Sequence, residues 1–367
     1  ASGSARVAVR GTPEIDGKLD AAYNRAPAIL LNKELYTNNV VSDRATGAAK
    51  AIYDDDYLYL FAEIEDLTLN SRDKLPKNDN SDLDGVQFYI DFTDGSSATF
   101  TPGKSGYLML DVNDYETTLQ DGTTPVERWG YSGKLESVYK NNPEKCSWSV
   151  VRTDNGYNME IRFELPEEIK ALIASGKAAD IGVGFQINDD TDNDGDRNTI
   201  AFSNGRLGDA WSNPQCIERM KLIPDHQIET NITAEQGTLT PAAAYVGEVV
   251  VPKLSVAEDM MLVEGSVRLN EEPFELGSAF VMPNENVQLT AEIVAKPEEF
   301  EIILPNVEGL TITSDRKTAK PGEVVTLDIQ LEDGYEFVQD DGMYDYGHFS
   351  NSQQKWVYFS SGPYGMA

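Results

Sequence analysis

The chain is expected to be all-β: an antiparallel β-sandwich followed by two small β-repeat domains. Three observations predict this. Alternating apolar and polar runs rich in aromatic and β-branched residues recur along the first two thirds, and each is closed by acidic or glycine-bearing turns. Only PEEIKALIASG reads as a helix. From about residue 230 the composition changes and a short motif repeats, Val246-Gly247-Glu248-Val249-Val250 against Pro321-Gly322-Glu323-Val324-Val325. With 367 residues the chain is too long for one ordinary sandwich. The expected domains are therefore 1–228, 229–297 and 298–367.

The elements follow in order. RVAVR at residues 6–10 is a strand, and Leu19 to Ala28 is a turn or short helical segment that packs Tyr23 inward. Residues 32–48 read as polar and irregular. Ala49–Tyr53 and Tyr57–Ile64 form a hairpin across Asp54-Asp55-Asp56. Tyr57, Tyr59, Phe61 and Glu63 fall on one face of its second strand, and Leu58, Leu60, Ala62 and Ile64 on the other. Those turn carboxylates, with Glu65 and Asp66, are candidates for holding a hard cation. Leu67 to Asp82 is a long polar loop interrupted by Pro76, and loops of that length are usually functional or disordered. Val86–Phe92 is the next strand, followed by an expected hairpin of Phe100–Gly106 into Tyr107–Val112.

Ser147–Arg152 and Tyr157–Phe163 alternate around Asn155-Gly156, a hairpin turn signal. Trp148 and Val150 are expected on one face and Met159, Ile161 and Phe163 on another. Pro166 in the first turn, adjacent glutamates and Gly176 as stop define the helix. Strands at Ile181–Asn188, Thr199–Ser203 and Met220–Ile223 complete the sandwich. In each repeat unit the shared motif leads into an alternating strand and an acidic turn, Glu258-Asp259 or Glu332-Asp333.

Charge and composition exclude several function classes. A formal net charge of −32 argues against nucleic acid and anionic membrane surfaces. No apolar run reaches the length of a membrane span, and ASGSARVAV lacks the regions of a signal peptide, reading as a mature or shortened N-terminus. Cys146 and Cys216 fit no zinc spacing; one disulfide and two buried thiols are both open. With His226 and His348 as the only histidines, most histidine-based triads and zinc sites are excluded. Phosphate-cradling and dinucleotide-binding glycine patterns are absent. The chain is expected not to be an enzyme.

Five segments recur together: Ile15-Asp16-Gly17-Lys18-Leu19-Asp20 with Tyr23, the 49–66 hairpin, Asp84-Gly85-Val86-Gln87-Phe88-Tyr89-Ile90-Asp91, Ile181 to Asp189, and Trp211-Ser212-Asn213-Pro214. In this order they resemble family 9 carbohydrate-binding modules, over about residues 6–224. The resemblance implies a jelly-roll or lectin-like sandwich that binds a polysaccharide or oligosaccharide without chemistry on it. It makes Trp211 a stacking platform for a pyranose ring, the alternative being a core tryptophan. Arg197 and Gln186 match polar positions that bond sugar hydroxyls, with Gln87 where the family usually has a carboxylate and Leu108 where it can have an arginine. For Arg197 the alternative is a salt bridge to the acidic loop beside it. The partner of Trp211 in the family's two-tryptophan clamp is here Ser81, so Trp129 or Tyr107 is the candidate replacement.

The loop Asn188 to Asp196 carries Asp190, Asp192, Asp194 and Gly195 in a D-x-D-x-D-G pattern. The twelfth position is Ala201, so this is no EF-hand, but alternate oxygens of a tight loop can wrap Ca²⁺. Asp190, Asp192, Asp194 and Asp196 are the expected ligands, and structural calcium is also what the resemblance implies. The expected setting is extracellular or on a bacterial cell surface, with the repeat units as spacers and other domains of a multi-domain enzyme or surface complex as partners. Two competing readings are an adhesin or structural spacer without glycan binding, and a haem-binding relative of the sandwich, which the paucity of histidine disfavours. The glycan is left open between starch-like α-glucan, β-glucan and xylan.

Overall fold

In the computed structural model the described residues are 6–37, 44–71, 74–78, 80–112, 130–132, 135–139, 142, 144–203, 207–296, 298–334, 344–350 and 355–361. The chain divides into two compact units, Ala1–Ser255 with Val263–Glu292, and Val256–Leu262 with Ile293–Ala367.

The first unit is dominated by thirteen strands: β1 (Arg6–Arg10), β2 (Ile29–Leu31), β3 (Lys33–Thr37), β4 (Thr46–Tyr53), β5 (Tyr57–Glu65), β6 (Gly85–Asp91), β7 (Ser105–Asp111), β8 (Gly130–Ser132), β9 (Cys146–Thr153), β10 (Gly156–Glu164), β11 (Ala179–Asp189), β12 (Thr199–Phe202) and β13 (Arg219–Leu222). One sheet runs β8-β7-β6-β11-β13-β1, with β12 beside β11 and β3 beside β12; the other runs β1-β4-β5-β10-β9, with β2 beside β4. β1 serves both sheets. Its residues 6–8 pair with β13 and residues 9–10 with β4, both in parallel, while the remaining pairs are antiparallel.

Alternation fills the space between the sheets. Leu58, Leu60, Ala62 and Ile64 of β5 meet Val86, Phe88 and Ile90 of β6 and Ile181, Val183 and Phe185 of β11 in one apolar core. The opposite face of β5 is also covered: Tyr59 and Phe61 pack with Tyr23, Val9 and Ile52 in a second cluster. Tyr23 sits in a 3-10 turn, Ala21–Tyr23, whose start Asp20 caps by accepting from the Ala22 amide. The helix Glu167–Ala174 begins after Pro166 and ends before Gly176, whose positive φ of 70° only glycine adopts readily.

Several expectations change. Residues 32–48 are not wholly irregular, because Lys33–Thr37 pairs with β12. Phe100–Gly106 forms no strand of its own; turns lead to Ser105, and β7 pairs with β6 directly. Trp148 and Val150 lie opposite Ile161 and Met159 across β9 and β10, so both sets face one core rather than two faces. The turn Asp54-Asp55-Asp56 cannot share a cation with Asp66, since the whole length of β5 separates them. Asp54 caps its own turn, and Asp55 pairs with Arg10 at 2.5 Å. Cys146 and Cys216 are free thiols, Cys146 in the core and Cys216 half-buried beside another apolar cluster.

After Leu222 the first unit continues without a long linker. Asp225–Glu229 pairs with Ala243–Tyr245 and, in parallel, with Val287–Thr290. Arg25 of the sandwich grips Asp225 and Glu248, both at 2.7 Å, and lies 5.5 Å from the Tyr245 ring. In the second unit Leu310–Ser314 pairs with Leu327–Leu331, and Tyr344–Ser350 with Lys355–Ser361. No helix among the described residues is long and apolar enough to cross a membrane.

Candidate functional site

The outward face of the β7-β6-β11-β12 sheet carries polar and aromatic side chains where the inward face carries the core. Register aligns Tyr107 with Tyr89, Met109 with Gln87, Gln87 with Gln186, and Gln186 with Phe202. Period-2 alternation therefore puts Gln87, Tyr89, Met109, Gln186 and Asn188 on one face of the sheet, and all five are buried there. Leu108 is buried in the core and cannot reach a ligand there.

These side chains form a continuous row. The Tyr89 hydroxyl lies 2.8 Å from Gln87 Oε1 and 2.9 Å from Gln186 Oε1. Gln186 Nε2 donates to Asn188 Oδ1 at 2.7 Å, which also accepts from Arg197 Nη1 at 3.2 Å. Arg197 Nη1 reaches the Ser81 carbonyl at 3.3 Å, while its buried Nε–H has no hydrogen-bond partner among the described residues. Arg197 thus binds the row and the loop before Asp84; the acidic loop is paired instead with Lys77, 2.5 Å from Asp194.

Trp211 is 61% exposed, whereas Trp148 lies in the core. It follows the 3-10 turn Leu207–Asp209, and Leu207 and Ala210 pack on Tyr89, Ile200 and Phe202. Leu207 fits because residue 184 is glycine: a Cβ there would stand 2.7 Å from Leu207 Cδ2. The turn that carries Trp211 is therefore seated on the same face as the polar row. Tyr107, half-buried, lies 5.1 Å from Tyr89 by ring centroids and 6.5 Å from Phe100. Trp129 falls outside the described residues.

Two groups of carboxylates adjoin this sheet. In the first, Asp190, Asp192 and Asp194 bring oxygens within 4.8 Å of one another, and Asp196 is not among them. The buried Asp190 is already occupied. Its oxygens accept from the Asp194 amide at 3.1 Å, the Gly195 amide at 2.7 Å and Asn70 Nδ2 at 2.7 Å. Asp194 is held by Lys77, whose hydrogen bond, aided by its charge, lowers its carboxyl below the ordinary range.

The second group, Asp66, Asp84 and Asp189, was not singled out as a metal set by sequence reasoning. Their oxygens also lie within 4.8 Å of one another, and all three residues are at most 3% exposed. Asp66 ends the β5 run, Asp84 precedes β6 and Asp189 ends β11, so sheet pairing gathers them at one end of the sandwich. One oxygen of Asp66 accepts from the Thr68 amide and hydroxyl, and one of Asp189 from the Ala45 amide and the Thr199 hydroxyl. Both Asp84 oxygens take backbone amides, those of Asp190 and Asn70. Among the described residues, Asp66 Oδ2, Asp189 Oδ1 and the fully buried Tyr157 hydroxyl have no hydrogen-bond partner. Burial pushes all three carboxyls up: Asp84 well above its ordinary value, reinforced by the charge of Asp66, and Asp189 to about 6.

Unsatisfied buried oxygens are costly, and like charges packed in low dielectric repel. A hard cation removes both penalties, and an all-oxygen set suits Ca²⁺. The triad fits such an ion better than the loop does. The sequence signal was present, an aspartate beside each of three core strands, but only the packing of β5's sheet on that of β6 and β11 shows that those ends meet.

Residues 15–224 match the family described as carbohydrate family 9 binding domain-like. This chain belongs to that family. Exoglucanase XynX of Acetivibrio thermocellus is 29% identical over 204 residues, which is 56% of this chain and 16% of that protein. Endo-1,4-beta-xylanase C of Paenibacillus barcinonensis is 24% identical over 205 residues, 56% of this chain and 15% of that protein. The chain thus spans about a sixth of the length of the curated relatives it matches. A carbohydrate binding module family 9 from Caldicellulosiruptor kristjanssonii, solved with cellotriose, is similar at 19% identity and a TM-score of 0.44, covering 60% of this chain and 93% of that one.

Proposed function

We propose that residues 1–228 of this family 9 domain bind the β-1,4-linked backbone of a plant polysaccharide, xylan or glucan, without cleaving it. The observation that carries this reading is the exposed Trp211 seated on the same face as the Gln87–Gln186–Arg197 row. Stacking of a sugar ring on the indole supplies apolar contact, and fixed amides and a guanidinium supply donors and acceptors for hydroxyls. The xylanase and exoglucanase names of the relatives favour β-1,4 chains over starch.

A structural Ca²⁺ held by Asp66, Asp84 and Asp189, with the Tyr157 hydroxyl beside them, braces the loop that leads into β6. The ion has a structural role and takes no part in any reaction. Residues 229–297 and 298–367 act as β-repeat spacers in an extracellular or cell-surface protein, in company with catalytic or other surface domains. Ser81, in place of a second tryptophan, leaves one side of the sugar to Tyr107 or Trp129.

The test is Trp211→Ala in the full chain, with binding to soluble xylan and cello-oligosaccharides read by calorimetry. Loss of about 1–3 kcal/mol of affinity with an unchanged melting midpoint is expected, the scale of one aromatic stacking contact and its buried area. Unchanged affinity would move the site elsewhere.

A further inference from the structure

We propose that Tyr89 is a positioning residue of the sugar site, fixing which way the Gln87 amide points by linking it, through Gln186 and Asn188, to the Arg197 guanidinium. The proposal rests on the binding reading above and adds to it a polarity for the polar row.

A guanidinium can only donate, so the atom of Asn188 that faces Arg197 Nη1 must be its carbonyl oxygen. That oxygen also lies 2.7 Å from Gln186, which must then present its NH₂ group there and its Oε1 to Tyr89. A phenol carries one proton. Once Tyr89 donates it to Gln186 Oε1 at 2.9 Å, the contact of 2.8 Å with Gln87 can be a hydrogen bond only if Gln87 turns its NH₂ toward the phenol oxygen. The Gln87 carbonyl then lies beside Met109 Sδ, which stands 3.5 Å from the other end of that amide. The turn gives up only the long 3.5 Å contact of Gln87 Nε2 with Met109 Sδ, a weak acceptor.

The row therefore has one direction: Gln87 donates to Tyr89, Tyr89 to Gln186, and Gln186 and Arg197 both to Asn188. Tyr89 suits this task because it is fully buried, its ring wedged against Tyr107 and under the Leu207–Ala210 turn. It does not need to touch the sugar. Without its hydroxyl the Gln87 amide is free to rotate, and the charge of Arg197 no longer sets the orientation beyond Gln186. Bonds within such a chain polarise one another, so the effect is expected to be transmitted rather than local.

Two readouts test this in the full chain with Tyr89→Phe, Arg197→Met and the double variant. The first needs no ligand: the side-chain amide resonances of Gln87 by nitrogen-edited NMR. Arg197→Met should shift them when Tyr89 is present and leave them in place in the Tyr89→Phe background. Absence of the shift in the Tyr89 background, or an equal shift in both, would overturn the relay. The second is affinity for xylohexaose and cellotriose. Tyr89→Phe should weaken binding about three- to tenfold, the scale of one net hydrogen bond, and its effect should shrink when Arg197 is already methionine. A wild-type chain that binds neither probe overturns the binding reading and Tyr89's role with it, while the amide resonances still decide whether the relay exists. If the wild type binds, Trp211→Ala loses binding and Tyr89→Phe keeps full affinity, the Tyr89 proposal alone is overturned.

Discussion

Two acidic clusters lie next to each other in this domain and behave in opposite ways. The loop from Asp190 to Asp196 has the conspicuous sequence pattern, yet its key oxygens are satisfied by backbone amides, Asn70 and Lys77. The triad Asp66, Asp84 and Asp189 is scattered over more than a hundred residues, and among the described residues it is the one left with unpartnered buried oxygens. Carboxylate density along a chain measures how acidic a loop is. A need for a cation is set by burial and by what the remaining lone pairs can find.

From that contrast, chelation should have the largest effect. EDTA is expected to lower the melting midpoint by roughly 10 °C, from about 3–4 kcal/mol of ion linkage spread over a domain of this size. Asp66→Asn should remove most of the EDTA-sensitive part, whereas Asp192→Asn, on the exposed loop, should leave it intact. The reverse pattern would return the ion to the loop.

A third buried acid sharpens the comparison with a smaller effect. Glu160 is fully buried on the opposite sheet, but its oxygens accept from the Tyr23 hydroxyl at 2.8 Å and the Asp16 and Gly17 amides at 3.1 and 3.0 Å. Burial nevertheless pushes its carboxyl up to about 7. A raised native value means that folding favours the protonated acid. Its contribution is full below the unfolded value of about 4.5 and is lost as pH rises through about 7. In EDTA, wild type should therefore lose stability relative to Glu160→Gln between pH 4 and 8, read as urea midpoints at several pH values. A constant difference would show that the three donors fully offset the burial.

Much of the sandwich was legible because strand alternation is a local property. The faces of β5, the Asn155-Gly156 hairpin and the Pro166–Gly176 helix follow from residues within a few positions of one another. Lys33–Thr37 was missed because an edge strand with one partner needs no continuous apolar face, and its pairing with β12 is long-range. The site divides along the same line. Trp211, Arg197, Gln87 and Gln186 could be picked out as residue types at matching positions. Tyr89 and Asn188, which join them, read in sequence as ordinary strand residues, and only the register of β6 against β11 makes them neighbours.

The most direct test of glycan binding and its structural ion together is affinity electrophoresis of the full chain. Gels would hold xylan, β-1,4-glucan, starch or no polymer, each run with and without EDTA. Retardation in the xylan or β-1,4-glucan gel, weakened by EDTA and absent with starch, is the expected result. A folded chain that migrates identically in every gel would contradict the account and leave the sandwich as an adhesive or spacer domain.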